Sequence, residues 1–178
     1  MWITQVIESI KEIAESLKSG QITLLTESDL KTSLSNKIQS KLADNITVNT
    51  ESPWYDTYET NSTYFVDITA FDRDKLKITY DRETNRKGYK YDDEALAIEL
   101  KYFRHNDDVQ KIAEDFSKMR LLIKAPKNDC FIIACARTNT LFETAKQFMQ
   151  NQMDIHKKNY SDRVKVFLFS SELIVEIK

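Results

Sequence analysis

Glycine and proline are almost missing from this chain, with two of each in 178 residues. Without glycine-rich stretches there is no loop to cradle a nucleotide triphosphate, which argues against an ATP-driven enzyme. Histidine is as scarce: His105 and His156 lie far apart, with no metal-ligand spacing and no serine or cysteine motif beside them. The two cysteines, Cys130 and Cys135, sit in the apolar run "DCFIIACA". Their odd spacing on a strand points them to opposite faces, so they read as buried free thiols of a reducing, cytoplasmic protein. No apolar run reaches the ~18 residues of a membrane span, and the acids in "MWITQVIESIKE" come too early for a signal peptide. A net charge of −2 exerts no global pull on nucleic acid, so any basic surface must be local.

What is present is periodicity. Ile3, Ile7, Ile10, Ala14 and Leu17 form one stripe, predicting a helix that ends near Ser19-Gly20. A second helix opens at "TESDLKTSLSNKIQSKL", where Thr26 and Asp29 have capping-box spacing. "ITVNTE", "TYFVDITAF" and "ALAIELKYF" read as strands. A helix with Asn106 as its cap follows, then the buried strand "CFIIACA", a helix near 139–153 capped by Thr138 or Asn139, and the strand-like "VKVFLFS" and "ELIVEIK". The order predicts one α/β (α+β) domain over 1–178, a central mixed sheet of about five strands flanked by helices. The N-terminal helix covers about 3–19, and a charged insertion covers about 72–93.

Three carboxylates, Glu27, Asp67 and Glu99, stand where apolar residues are expected. Glu27 tops the stripe Leu30, Leu34, Ile38 and Leu42 at ~100° per residue; the alternative is a solvated acid on a helix first turn. Asp67 interrupts "YFVDITAF", although aspartate is depleted in strands; the alternative is an edge-strand acid facing water. Glu51 closes "ITVNTE". Glu99 and Lys101 share one face of a strand, with the small Ala95 and Ala97 leaving room beside them. Acid-x-lysine spacing alone is uninformative, because it occurs three times here and chance predicts about three. An intrastrand salt bridge on a solvated face is the competing account. Together, carboxylates on adjacent strands suit a hard divalent cation, and a nearby lysine suits water or phosphate positioning.

In order and context these residues carry a resemblance. "TESDL", "VNTE", "YFVDI" and "AIELKYFR", followed by "DDVQKIAEDFSKMRLLIKAPKNDCFIIACA", resemble the PD-(D/E)xK nuclease superfamily with its restriction-endonuclease-like fold, over about residues 24–136. In that family a helix acid precedes a hairpin bearing an aspartate, the (D/E)xK lies on the next strand, and a helix and a strand follow. The resemblance implies a Mg²⁺- (or Mn²⁺-) dependent endonuclease that leaves a 5′-phosphate. Asp67, Glu99 and the Leu100 carbonyl would hold the metal and Lys101 would orient the attacking water. Glu27, with Glu51 as its rival, would be the supporting acid. Val66 stands where the family usually has proline.

The insertion is the one local basic feature. Arg73, Lys75, Lys77, Arg82, Arg86, Lys87 and Lys90 outnumber Asp74, Asp81 and Glu83, with Tyr80, Tyr89 and Tyr91 interleaved. Such a segment suits phosphate contact and base stacking, or is simply a solvated hairpin. The expected partner is nucleic acid, DNA before RNA, and cutting both strands of a duplex favours a homodimer. The alternative is an inactive nucleic-acid-binding or protein-interaction module on the same fold.

Overall fold

The computed structural model describes residues 2–55, 63–81, 86–91, 94–123, 127–158, 160 and 162–178, with backbone alone for 55, 63, 77–81 and 86–91. Helices α1 (Ile3–Lys18) and α2 (Glu27–Lys41) precede the hairpin β1 (Ile46–Tyr55) and β2 (Thr63–Asp72). A single 3-10 turn then leads into β3 (Leu76–Asp81) and β4 (Arg86–Tyr91). The chain continues through β5 (Ala95–Phe103), α3 (Asn106–Leu122), β6 (Asn128–Ala136), α4 (Asn139–His156), β7 (Val164–Phe169) and β8 (Ile174–Ile177).

One eight-stranded mixed sheet runs in the order β3-β4-β1-β2-β5-β6-β7-β8. This exceeds the five strands expected from the sequence. The insertion adds β3 and β4 to one edge, where β4 meets β1 at Trp54↔Tyr89, and β8 adds a short antiparallel edge at the other. Strands β5, β6 and β7 are parallel, which requires the crossovers α3 and α4. Among the described residues no helix is long and apolar enough to cross a membrane.

Two cores cover the two faces. One is built under α1 and α2 by Val6, Ile10, Leu30, Leu34 and Ile38, packed on Ile68, Leu96, Ile98 and Leu100. The other lies under α3 and α4, where Ile112, Phe116, Met119 and Phe142 meet Ala97, Phe103 and Ile132. Burial on both faces makes β5 and β6 near-continuous apolar runs. Cys130 belongs to one core and Cys135 to the other, and both are free thiols, as their odd spacing predicts.

The helix ends follow local chemistry. Thr26 and Asp29 form the expected capping box on α2, and Gly20 ends the α1 turn at φ 71°, the left-handed region that glycine favours. The cap of α3 lies one residue earlier than expected. His105, rather than Asn106, is the N-cap, and the Asp108 carboxylate accepts from the backbone N–H of both Arg104 and His105.

The β1–β2 hairpin contains the feature that shapes the site. Its register is unbroken, with Thr50↔Ile68 and Ser52↔Val66 flanking Glu51 and Asp67. Yet Ile46, Ile68 and Ala70 lie in the α1/α2 core, while Trp54 and Val66 lie in the α3/α4 core. Both strands therefore exchange faces at Glu51 and Asp67. Glu51 has φ 52°, a left-handed conformation uncommon outside glycine. The β2–β5 ladder runs from Phe71↔Ala95 to Ile68↔Ile98 and stops one residue before Asp67.

Candidate active site

Asp67 sits where β2 leaves β5. Because Val66 turns into the α3/α4 core, its neighbours Phe65 and Asp67 point to the other side. Asp67 Oδ2 accepts from the Leu100 N–H at 2.8 Å, replacing the strand partner that β2 no longer supplies. Asp67 Oδ1 lies 2.8 Å from Lys31 Nζ of α2, and Lys31 also pairs with Glu51. Burial alone would pull the Lys31 ammonium down, but Asp67 and Glu51 outweigh it and hold its pKa above the usual lysine value. Asp67 lies on an inner strand, so the edge-strand account of this residue does not hold.

Glu99 is 4% exposed. It pairs with Lys118 of α3, Nζ to Oε1 at 2.5 Å, and Lys118 also donates to the Phe65 carbonyl. One ammonium thus braces β2 and β5 where they part. Burial pushes the Glu99 carboxyl up to about 8, Lys118 pulls against that shift, and the charges of Asp67 and Asp115 add to it. Neither a solvated face nor a Glu99–Lys101 bridge is seen.

Lys101 instead faces Asp115 of α3, Nζ to Oδ2 at 3.3 Å. That geometry falls short of a hydrogen bond, so Asp115 Oδ2 is buried without one. Burial raises the Asp115 carboxyl to about 6, with Lys101 opposing. Lys101 is pulled down by burial but raised on balance by Asp115, Glu27 and Asp67, so it is an ammonium at neutral pH. Glu27, the first residue of α2, is half-buried and acts on Lys101 through its charge. Glu51, its rival, touches Lys31 on the Asp67 side.

The structure brings some of the residues singled out in the sequence together and sets others apart. Asp67, Glu99 and Lys101 fall in one electrostatic cluster, with Glu27 and Glu51 on opposite flanks. Three members escaped the sequence reading: Lys31, Asp115 and Lys118. Asp115 left a trace, since it sits three residues after Ile112 and four before Met119, on the buried stripe of α3. The basic insertion stands at the β3–β4 edge, beyond β1. Arg73 donates to the Asp44 carbonyl at 2.9 Å, and Lys75 is exposed. Arg82 lies outside the described residues, as do the side chains of Lys77, Arg86, Lys87 and Lys90.

Five carboxylates (Glu27, Glu51, Asp67, Glu99, Asp115) against three ammoniums (Lys31, Lys101, Lys118) leave the cluster a formal charge of −2. Among the described residues no group of three or more His, Cys, Asp or Glu side chains is gathered to hold a metal. The donors nevertheless suit Mg²⁺, which keeps several waters and binds through one or two carboxylates. Burial is the main cause of the Glu99 rise, and Asp67 and Asp115 add to it with negative charge that a divalent cation would offset. The Leu100 N–H faces Asp67 past the last β2–β5 pair, and strand geometry turns the Leu100 carbonyl to the same side.

Glu51 gives a direct check on the strain in this hairpin. Its own side chain is mostly exposed, so its pairing with Lys31 contributes ~1 kcal/mol or less, whereas left-handed backbone costs a non-glycine residue about 1–2 kcal/mol. Glu51→Gly is therefore expected to unfold at higher denaturant than Glu51→Ala, by about 1 kcal/mol, reversing the usual strand preference. Urea titration of the two variants measures the difference, and an alanine variant as stable as the glycine one would show the backbone to be unstrained.

No family model, curated protein or solved structure matches this chain.

Proposed function

We propose that this protein is a metal-dependent nuclease of the PD-(D/E)xK type that hydrolyses phosphodiester bonds in nucleic acid. The observation that carries the reading is that Asp67, where β2 leaves β5, lies near enough for its charge to act on both Glu99 and Lys101 of the adjacent strand. The elements also follow the family's order: helix acid Glu27, hairpin aspartate Asp67, Glu99-Leu100-Lys101 on the next central strand, then a helix and a strand.

Asp67, Glu99 and the Leu100 carbonyl would hold Mg²⁺ or Mn²⁺, which when bound supplies charge for the phosphate and a more acidic water. Lys31 and Lys118 neutralise these carboxylates here and must yield them to such an ion. Lys101 keeps its proton, so it acts as a donor that orients water or phosphate oxygen rather than as a base. Asp115 is a positioning residue, holding the Lys101 ammonium from the α3 side. Phe65, 61% exposed and two residues from Asp67, offers a ring to an unpaired base.

A second reading has its own observation: Asp67 and Glu99 each already have a lysine counter-ion, as a non-catalytic binding module would require. Labelled single-stranded DNA, duplex DNA and RNA incubated with Mg²⁺, Mn²⁺ or chelator separate the two. The nuclease reading expects metal-dependent cutting that Lys101→Ala lowers by about 100-fold or more. Folded protein that cuts none of the three substrates is the binding module.

A further inference from the structure

A cleft of about 500 Å³ lies between α2 and the outer edge of β1, within the range of small-ligand sites. It is lined by Ser35, Asn36 and Gln39 of the helix, by Val48, Asn49 and Thr50 of the strand, and by Leu76. Among the described residues no lysine or arginine lines it, and Glu51 is the one charge.

Among the described residues the edge of β1 is open along this cleft. Gln39 occupies one end as a substitute strand, donating from Nε2 to the Ile46 carbonyl at 3.3 Å and accepting from the Val48 N–H at 3.0 Å. The backbone groups of even-numbered residues therefore point away from β2, which turns the Val48 carbonyl and the Thr50 N–H into the cleft. At the other end β4 joins β1 at Trp54. An added peptide strand needs a free run past both ends, and here Gln39 and β4 close them. A short planar ligand with its own donors and acceptors fits instead. Backbone N–H and C=O, with Asn36 and Asn49 amides nearby, are the groups that read the edge of an unpaired nucleobase. Glu51, on the cleft wall, is joined through Lys31 to Asp67.

We propose that this cleft takes the unpaired base adjoining the scissile phosphate, so that the substrate is single-stranded nucleic acid. The inference rests on the nuclease reading for the word scissile; the base site itself stands on the cleft alone.

The test uses the full chain with chelator present, so that binding is read apart from cleavage. Deoxyadenosine, deoxycytidine, deoxyguanosine and thymidine, which carry no phosphate, are titrated into ¹⁵N-labelled protein. Saturable shifts are expected at the Thr50 N–H and at the Asn36, Gln39 and Asn49 side-chain amides, strongest for the preferred base. Asn36→Trp, on an exposed position of α2, fills the cleft and should weaken nucleoside binding about tenfold or more. In cleavage assays the same variant should raise KM on single-stranded substrate about tenfold with kcat within about twofold. Absent or scattered shifts, or an Asn36→Trp enzyme with unchanged KM, overturn the base site and leave the nuclease standing. Localised shifts in a protein that cuts nothing retain the base site and remove the nuclease.

Discussion

Glu99→Gln is expected to abolish metal-dependent cleavage while making the metal-free protein more stable. On the nuclease reading, the loss follows from removing a carboxylate that would hold the metal, on the order of 1,000-fold, or about 4 kcal/mol of barrier. The gain follows from burial. The Glu99 carboxyl is raised from 4.5 to about 8 in the folded protein, so between those values the native state holds a proton that the unfolded chain has released. Stability from this group is then fully present below about pH 4.5 and is lost as pH rises toward 8. Asp115 adds the same sign over the lower window, from 3.8 to about 6. Glutamine cannot ionise, so the variant escapes the Glu99 loss. Its advantage should be near zero at pH 4.5 and on the order of 3 kcal/mol at pH 8. Each kcal/mol corresponds to roughly 2–4 °C in Tm for a chain of this size. Thermal unfolding across that range in chelator measures it. A variant less stable than wild type at pH 8 would show that Glu99 contributes more as a partner of Lys118 than it costs as a buried charge.

Lys118→Met tests the other half of the pair. Lys118 is the counter-ion of a carboxylate that is 4% exposed, and it also ties the Phe65 carbonyl. Breaking a buried pair by removing one partner costs about 3–5 kcal/mol, because the remaining charge is left uncompensated. That cost falls only on ionised Glu99, so it should be largest above pH 8 and shrink as Glu99 takes up its proton below about 8. In the double variant with Glu99→Gln most of it should vanish, giving a coupling energy of about 2 kcal/mol or more. Metal binding should move the opposite way. With the competing ammonium gone, Mg²⁺ is expected to bind about tenfold more tightly, read by calorimetry at pH 8. If Lys118→Met unfolds at wild-type denaturant and binds Mg²⁺ no better, the ammonium is neither a structural brace nor the metal's competitor.

Much of the fold was legible because it rests on local patterns. The stripe on α1, the capping box at Thr26 and Asp29, and the two-sided apolar runs of β5 and β6 each reflect a neighbour within a few residues or a whole covered face. The strand count was less legible. β3 and β4 are short and highly charged, and what makes them sheet strands is their pairing with each other and with the edge of β1 at Trp54. The cap of α3 was misplaced by one residue because Asp108 reaches back to two backbone N–H groups, which spacing alone does not rank.

The candidate site divides along the same line. Residue type and order determined that Asp67, Glu99 and Lys101 are out of place in apolar strands, and that Glu99 and Lys101 share a face, since strand alternation is a property of consecutive residues. Which charges they meet was decided only by tertiary structure. Lys118 reaches Glu99 across 19 positions, Asp115 faces Lys101 across 14, and Lys31 joins Asp67 across 36. The left-handed turn at Glu51 exchanges the faces of two strands where alternation predicts none. Electrostatic partnership depends on distance in space, and a chain folded through two layers of helices brings together charges that no local period relates.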